Sequence, residues 1–207
     1  MNTKYYEYDG ENEIVRDLNY DGDFKSNECT SILEQADIVV TNPPFSLFRD
    51  YVTHLIKFSK KFLIIGNMNA ITYKEIFPYI KDNELWLGVN WIKDFIQPNK
   101  EIKKFGNICW YTNLDNNKNN KSIDLCCKYN ETDYPHYDNC VGVEVSKVSE
   151  IPMGYSGVMG VPITFLDKYC PEQFEIVGNE YDLNLSKGRG YINGRRCYGR
   201  VFIRKKQ

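Results

Sequence analysis

Two hydrophobic rhythms alternate along the first half of the chain. Residues 37–41 (Asp-Ile-Val-Val-Thr) form a continuous β-branched run, the pattern of a strand buried on both faces. From Ser46 to about Phe58 the period becomes helical, with Leu47, Phe48, Tyr51, Val52, Leu55 and Ile56 on one stripe. Residues 61–66 (Lys-Phe-Leu-Ile-Ile-Gly) read as a second buried strand and residues 84–89 as another, while residues 4–8 make a short aromatic strand. Thr72 with Glu75 three residues later forms a capping box, which predicts a helix through Ile80 that Pro78 shortens or kinks. Strand, helix, strand, helix, strand in this order predicts parallel β-α-β units. Such sheets bind ligands beyond the carboxyl ends of their strands, and Asn42 follows directly on one of those ends.

The second half is less periodic. Residues 106–112 and 174–178 read as strands, residues 162–169 as a short helix, and residues 115–121 as a polar loop. Residues 191–204 read as a hairpin, because Asn193-Gly194 supplies a type I′ turn signal.

Charge adds an asymmetry that the net value of −2 conceals. Residues 1–24 carry seven acids against Lys4 and Arg16, whereas residues 187–207 carry eight bases and no acid. A tail containing Lys187, Arg189, Arg195 and Arg196 can follow a phosphate backbone, or can be the charged edge of a solvated hairpin. Seven cysteines without a Cys-x-x-Cys pair read as free thiols in a reducing cytoplasm, and two isolated histidines offer no metal site. No apolar run approaches membrane-spanning length, and the acidic N-terminus does not resemble a signal peptide.

The residues after the 37–41 strand carry the most specific chemistry. An aromatic amino nitrogen is a poor nucleophile because its lone pair is delocalised into the ring. Two hydrogen-bond acceptors aimed at its N–H groups draw it toward tetrahedral geometry. The Asn42 side-chain oxygen and the Pro43 carbonyl form such a pair. Asn42 and Pro43 each precede a proline, which holds them extended, and neither Pro43 nor Pro44 has an N–H to oppose the substrate's donors. Phe45 offers a flat face for a base rotated out of a duplex. The plainer reading is a rigid turn after a core strand, and enzymes that methylate glutamine side chains or RNA bases use related sequences. Upstream, Asp23-Phe24 pairs a carboxylate with a ring, a combination that suits a nucleoside. Glu7, at the end of the first strand, can bind a ribose diol, with Asp9 the competing choice.

In these residues the chain resembles the EcoRI-type adenine-specific DNA methyltransferases. The resemblance runs through Asp21-Gly-Asp-Phe24, Ala36-Asp-Ile-Val-Val-Thr-Asn-Pro-Pro-Phe-Ser-Leu-Phe-Arg49, Lys61-Phe-Leu-Ile-Ile-Gly-Asn67, Ala70-Ile-Thr-Tyr-Lys-Glu-Ile-Phe77, Trp110-Tyr-Thr-Asn-Leu114, Gly157-Val-Met-Gly-Val-Pro-Ile-Thr-Phe-Leu-Asp-Lys-Tyr169 and Pro171-Glu-Gln-Phe-Glu-Ile176. It implies an α/β, Rossmann-like fold with an irregular β-rich C-terminal portion, S-adenosylmethionine as methyl donor, and methylation of adenine in duplex DNA as the protective half of a restriction–modification system. Asn42, Pro43, Pro44 and Phe45 take the catalytic motif, and Asp23-Phe24 the motif that contacts the donor's adenine. Residues 1–90 are then part of the catalytic core. Residues 91–207 hold the rest of it and a target-recognition portion that ends in the basic hairpin.

The resemblance also implies an upstream strand and turn that cradle the methionine part of the donor. The fold is therefore expected to be incomplete at its N-terminus, and the chain alone to bind S-adenosylmethionine weakly or not at all. Without that strand, either the strands at 4–8 and 37–41 close up, or another chain supplies it, or the product is a DNA-binding remnant without catalysis. The stretch from Val89 to Trp110 is shortened relative to the family.

Overall fold

The computed structural model describes residues 3–19, 21–115, 121–185 and 189–206. In chain order, β1 (Lys4–Tyr8) and β2 (Glu13–Asp17) form an antiparallel hairpin, followed by α1 (Asn27–Gln35), whose N-terminus Ser26 caps by accepting the Cys29 N–H. Next come β3 (Ile38–Thr41), α2 (Phe48–Lys57) and β4 (Lys61–Asn67). The short α3 (Phe77–Lys81) leads into two long strands, β5 (Trp86–Ile96) and β6 (Ile102–Thr112). The rest of the chain supplies β7 (Val143–Glu144), β8 (Met159–Pro162), β9 (Phe174–Asn179), β10 (Tyr191–Ile192), β11 (Arg195–Arg196) and β12 (Arg200–Lys205).

Two four-stranded sheets result, ordered β3-β4-β6-β5 and β7-β8-β12-β9. The first is mixed. β3 and β4 are parallel, joined by α2 as one β-α-β unit, whereas β6 runs antiparallel to both β4 and β5. The expected run of parallel units therefore stops after one, because β6 inserts between β4 and β5.

Alternation in β4 turns Phe62, Ile64 and Gly66 into the core, where Phe48, Val52 and Leu55 of α2 are also buried. Gly66 is needed there: a Cβ at this position would lie 2.4 Å from Cε2 of Phe48. The Phe48 ring then meets Tyr111 of β6 at 4.9 Å between centroids, and the Tyr111 hydroxyl donates to the Asn67 carbonyl at 2.8 Å. One apolar cluster joins these residues to Val145, Val161, Phe165, Phe174 and Ile203 of the second half. The boundary expected at residue 90 falls inside β5, so both halves share a core.

Several expectations change. β3 is not buried on both faces: Ile38 is 51% and Val40 63% exposed, and among the described residues no strand pairs with its outer edge. Before Phe48, only Leu18 and Pro43 are buried among the described residues, while Leu33 of α1 and Val39 of β3 are partly buried against the core. Nor do the strands at 4–8 and 37–41 close up, since β1 pairs with β2. Thr72 caps no helix; it ends a 3₁₀ segment, Met68–Thr72, and its hydroxyl donates to the Asn69 carbonyl. Pro78 instead starts α3, where its missing N–H costs nothing. The expected helix at 162–169 is a 3₁₀ segment, Ile163–Lys168.

The hairpin expected over 191–204 is confined to β10 and β11, with Asn193 and Gly194 at φ of 49° and 73°, as a type I′ turn requires. Residues 200–205 are not a solvated edge. β12 lies between β8 and β9, with Val201, Phe202 and Ile203 buried. Much of the loop expected at 115–121 lies outside the described residues. No helix among the described residues is long and apolar enough to cross a membrane.

Candidate active site

The chain leaves β3 through residues 42–44 into a 3₁₀ turn, and this segment forms one wall of a cleft of about 580 Å³. Thr41, Asn42, Pro43, Pro44, Leu47 and Tyr51 line it on one side, and Asp21, Gly22, Asp23, Phe24 and Lys25 on the other. Pro43 is buried and anchors the turn, and the Pro44 carbonyl accepts the Leu47 N–H at 2.9 Å as the 3₁₀ segment Phe45–Leu47 begins. Asn42 is exposed to the cleft, and among the described residues its side-chain amide and the Pro43 carbonyl have no hydrogen-bond partner. The two acceptors singled out by chemistry are therefore available to a ligand.

The opposite wall is held by α2. The Phe24 ring stands edge-on to Tyr51 at 5.0 Å and to His54 at 5.5 Å. Lys25 reaches Asp50 in the first turn of α2 at 2.6 Å, which holds the Asp50 carboxyl below its ordinary pKa. Asp23 accepts the Lys25 N–H through Oδ1 at 2.9 Å, and its carbonyl accepts the Ser26 N–H just before α1. Burial holds the His54 imidazole below its usual pKa, with Lys57 and Lys25 adding to the effect. His54 thus serves as a neutral aromatic support for Phe24.

The structure brings Asp23 and Phe24 together with Asn42, Pro43 and Pro44 in one cleft. Phe45 is not among the lining residues and is 43% exposed at the start of the 3₁₀ segment. Glu7 does not reach the cleft either. Its carboxylate accepts from Arg16 Nε at 2.7 Å across the β1–β2 hairpin, and Asp9 caps the hairpin's own turn. Lys25, Leu47 and Tyr51 were not singled out from sequence. Leu47 and Tyr51 are four residues apart, so helical spacing puts both on one face, but which wall that face lines is set by packing.

Three of the eight bases of the tail are held in ion pairs among the described residues. Arg189 pairs with Glu180 at 2.5 Å, Arg204 with Glu175 at 3.4 Å, and Arg200 lies buried against Glu144. Of the four residues expected to meet nucleic acid, Arg195 and Arg196 are exposed on β11, Arg189 is engaged in its ion pair, and Lys187 lies outside the described residues. No group of three or more His, Cys, Asp or Glu among the described residues is placed to hold a metal ion.

Comparison with known proteins decides the family. The family model described as adenine-specific methyltransferase EcoRI matches residues 3–206. The chain belongs to the EcoRI family of adenine-specific methyltransferases. The Type II methyltransferase M.EcoRI of Escherichia coli is 44% identical over 234 aligned residues, which take in 100% of this chain and 71% of that protein. M.MgeORF184P of Mycoplasma genitalium is 37% identical, covering 98% of this chain and 75% of its own length, and M.MpnI of Mycoplasma pneumoniae is 34% identical, covering 100% and 76%. No solved structure gives a significant match. Membership in this EcoRI family makes the chain a methyltransferase and implies a methyl donor. Within the family's chemistry, the cleft beside Asn42 is the candidate active site.

Proposed function

We propose that this chain transfers a methyl group from S-adenosylmethionine to the exocyclic amino group of an adenine rotated out of duplex DNA, in a restriction–modification setting. One observation carries the reading: the nucleoside-type pair Asp23-Phe24 and the amino-group pair Asn42-Pro43 line a single cleft. Its volume of about 580 Å³ is in the range of small-molecule sites, roughly 300–1,000 Å³. The one-parallel-unit sheet β3-α2-β4 is the part of a Rossmann-like methyltransferase sheet that positions the motif.

The donor fits the Asp23 side. One carboxylate oxygen is engaged by the Lys25 N–H, which leaves the other to accept from the donor's adenine amino group, while Phe24 packs on the base. When bound, the donor supplies an electrophilic methyl carbon. Asn42 Oδ1 and the Pro43 carbonyl each accept one N–H of the target amino group, which concentrates its lone pair on nitrogen. With the donor held at Asp23 and Phe24, it would give its methyl group to that nitrogen, and the extra amino proton would leave to solvent. Pro43 and Pro44 hold both acceptors in place with no N–H nearby to compete.

The open outer edge of β3 supports a further partner. A strand supplied by another chain would pair there and cover Ile38 and Val40, and donor affinity in this chain alone is accordingly weak. Ligand-observed NMR titration with S-adenosylmethionine tests the placement. The expected result is a dissociation constant weaker than micromolar that rises at least about tenfold (~1.4 kcal/mol) in Phe24→Ala. Equal affinity of the two proteins would remove the donor from this wall, and micromolar binding by the unmodified chain would contradict the role given to the open edge.

A further inference from the structure

The longest strands reach past the sheet that contains them. Asn67 at the end of β4 pairs with Ile108, which pairs in turn with Ile92. Beyond that level β5 continues to Ile96 and β6 extends back to Ile102, with no other strand among the described residues beside them. At roughly 3.3 Å per residue, this two-stranded ribbon projects on the order of 13–20 Å beyond the carboxyl end of β4. β3 runs parallel to β4, so Asn42-Pro43-Pro44 leaves the sheet at this same end, with β4 between it and the ribbon.

The ribbon's composition is unusual for a strand pair with no sheet beside it. It carries Lys93, Lys100, Lys103 and Lys104 against Asp94 and Glu101. Among the described residues none of these lysines makes an ion pair, in contrast to Arg189, Arg200 and Arg204 of the tail, and Glu101 accepts a hydrogen bond from Asn99. Trp91, Ile96 and Ile102 are 39%, 78% and 64% exposed. Phe95 and Phe105 meet edge-to-face at 5.2 Å, with the Lys103 ammonium 5.2 Å from the Phe105 ring. The end is closed by two backbone bonds, Gln97 N–H to the Glu101 carbonyl and Lys100 N–H to the Gln97 carbonyl, with Lys100 in the left-handed region at φ 67°.

We propose that this ribbon is a duplex-DNA contact, lying against the duplex beside the base held at Asn42. The inference rests on the reading of the cleft given above. A two-stranded ribbon fits the major groove, about 12 Å wide, and strands are an established means of groove entry. Its lysines meet phosphates while Trp91 and the exposed isoleucines offer apolar contact. Two strand spacings, roughly 10 Å, separate β6 from β3, so one duplex can touch the ribbon and present a rotated base to Asn42. A second copy of the chain is the poorer occupant, because it would bring four lysines against four.

The test is fluorescence anisotropy of a labelled mixed-sequence duplex with the unmodified chain and with Lys93→Ala/Lys103→Ala/Lys104→Ala, over a salt series. The expected result is at least tenfold weaker binding at low salt, a salt slope smaller by about 2–3 at roughly 0.9 per phosphate contact, and unchanged donor affinity. Equal affinity and slope in the two proteins would overturn the inference and leave the cleft reading intact. Loss of self-association in the variant with unchanged DNA binding would overturn it in favour of a contact between copies. Failure of the unmodified chain to bind duplex DNA would overturn the DNA reading itself, and the ribbon's role with it.

Discussion

Asn42→Ala is expected to lower single-turnover methyl transfer by about 10²–10³-fold or more, the usual loss when one preorganised polar partner of the reacting group is removed. The same substitution should leave stability within about 0.5 kcal/mol, as for an exposed position away from packing features. Both halves follow from one observation: the Asn42 side chain faces the cleft and has no partner among the described residues. The comparison is made at saturating donor, with a thermal melt of each protein as control. Full activity in the variant would remove Asn42 from the chemistry.

The largest expected effect on stability lies far from the cleft. Arg200 in β12 donates to the Glu144 carboxylate through Nε at 2.8 Å and also through Nη2, and the Tyr137 hydroxyl donates to the same carboxylate. The ion-pair side chains are only 11% and 8% exposed. Burial, together with the neighbouring Glu144, pushes the Tyr137 hydroxyl pKa far up, so the tyrosine stays a donor. Arg200→Met leaves a buried carboxylate without its counter-charge, which costs roughly 3–5 kcal/mol. At about 2–4 °C per kcal/mol for a chain of this size, the melting midpoint should fall by some 6–20 °C. Adding Glu144→Leu should recover much of that loss, because removing both charges removes the desolvation problem. Arg204→Ala breaks an exposed pair and should cost about 1 kcal/mol or less. Urea unfolding of the four proteins checks the series; a double variant no more stable than the single would contradict the account.

How legible each part was depended on whether its signal was local. The apolar run of β4, the helical stripe of α2 and the Asn193-Gly194 turn are local, and each element forms where the pattern places it, β4 with one face only partly buried. The run 37–41 forms a strand, but its burial was misjudged. Val and Ile state a preference for a pleated surface, whereas burial requires another element to cover it, and among the described residues only β4 pairs with β3. β12 was misread for the opposite reason. Its arginines suggested solvent, yet Val201-Phe202-Ile203 fill the second sheet while Arg200 finds a carboxylate 56 residues away in sequence. The β5–β6 ribbon escaped notice because alternating lysines and large apolar residues, such as Trp91-Ile92-Lys93-Asp94-Phe95, match neither a buried strand nor a plain loop.

The site divides in the same way. Asn42-Pro43-Pro44 and Asp23-Phe24 could be read from the chemistry of the residues themselves, and both line the cleft. Lys25 and Tyr51 could not. Their placement depends on the 21–25 turn docking onto α2 through Phe24 and through the pair of Lys25 with Asp50. Glu7 was plausible from its position at a strand end, but Arg16 lies diagonally across the hairpin, two residues from Glu7's partner Ile14, and takes the carboxylate. A neighbour fixed by strand register outcompeted the expected ligand.

The central claim, that the cleft at Asn42 methylates adenine in duplex DNA, is tested most directly by the identity of the product. Duplex DNA is incubated with the protein and millimolar methyl-labelled S-adenosylmethionine, then digested to nucleosides and separated. The predicted result is label in N6-methyladenosine of the deoxy series with the unmodified chain and none with Asn42→Ala. Label in cytosine, or label that appears only when RNA or protein replaces the duplex, would contradict it.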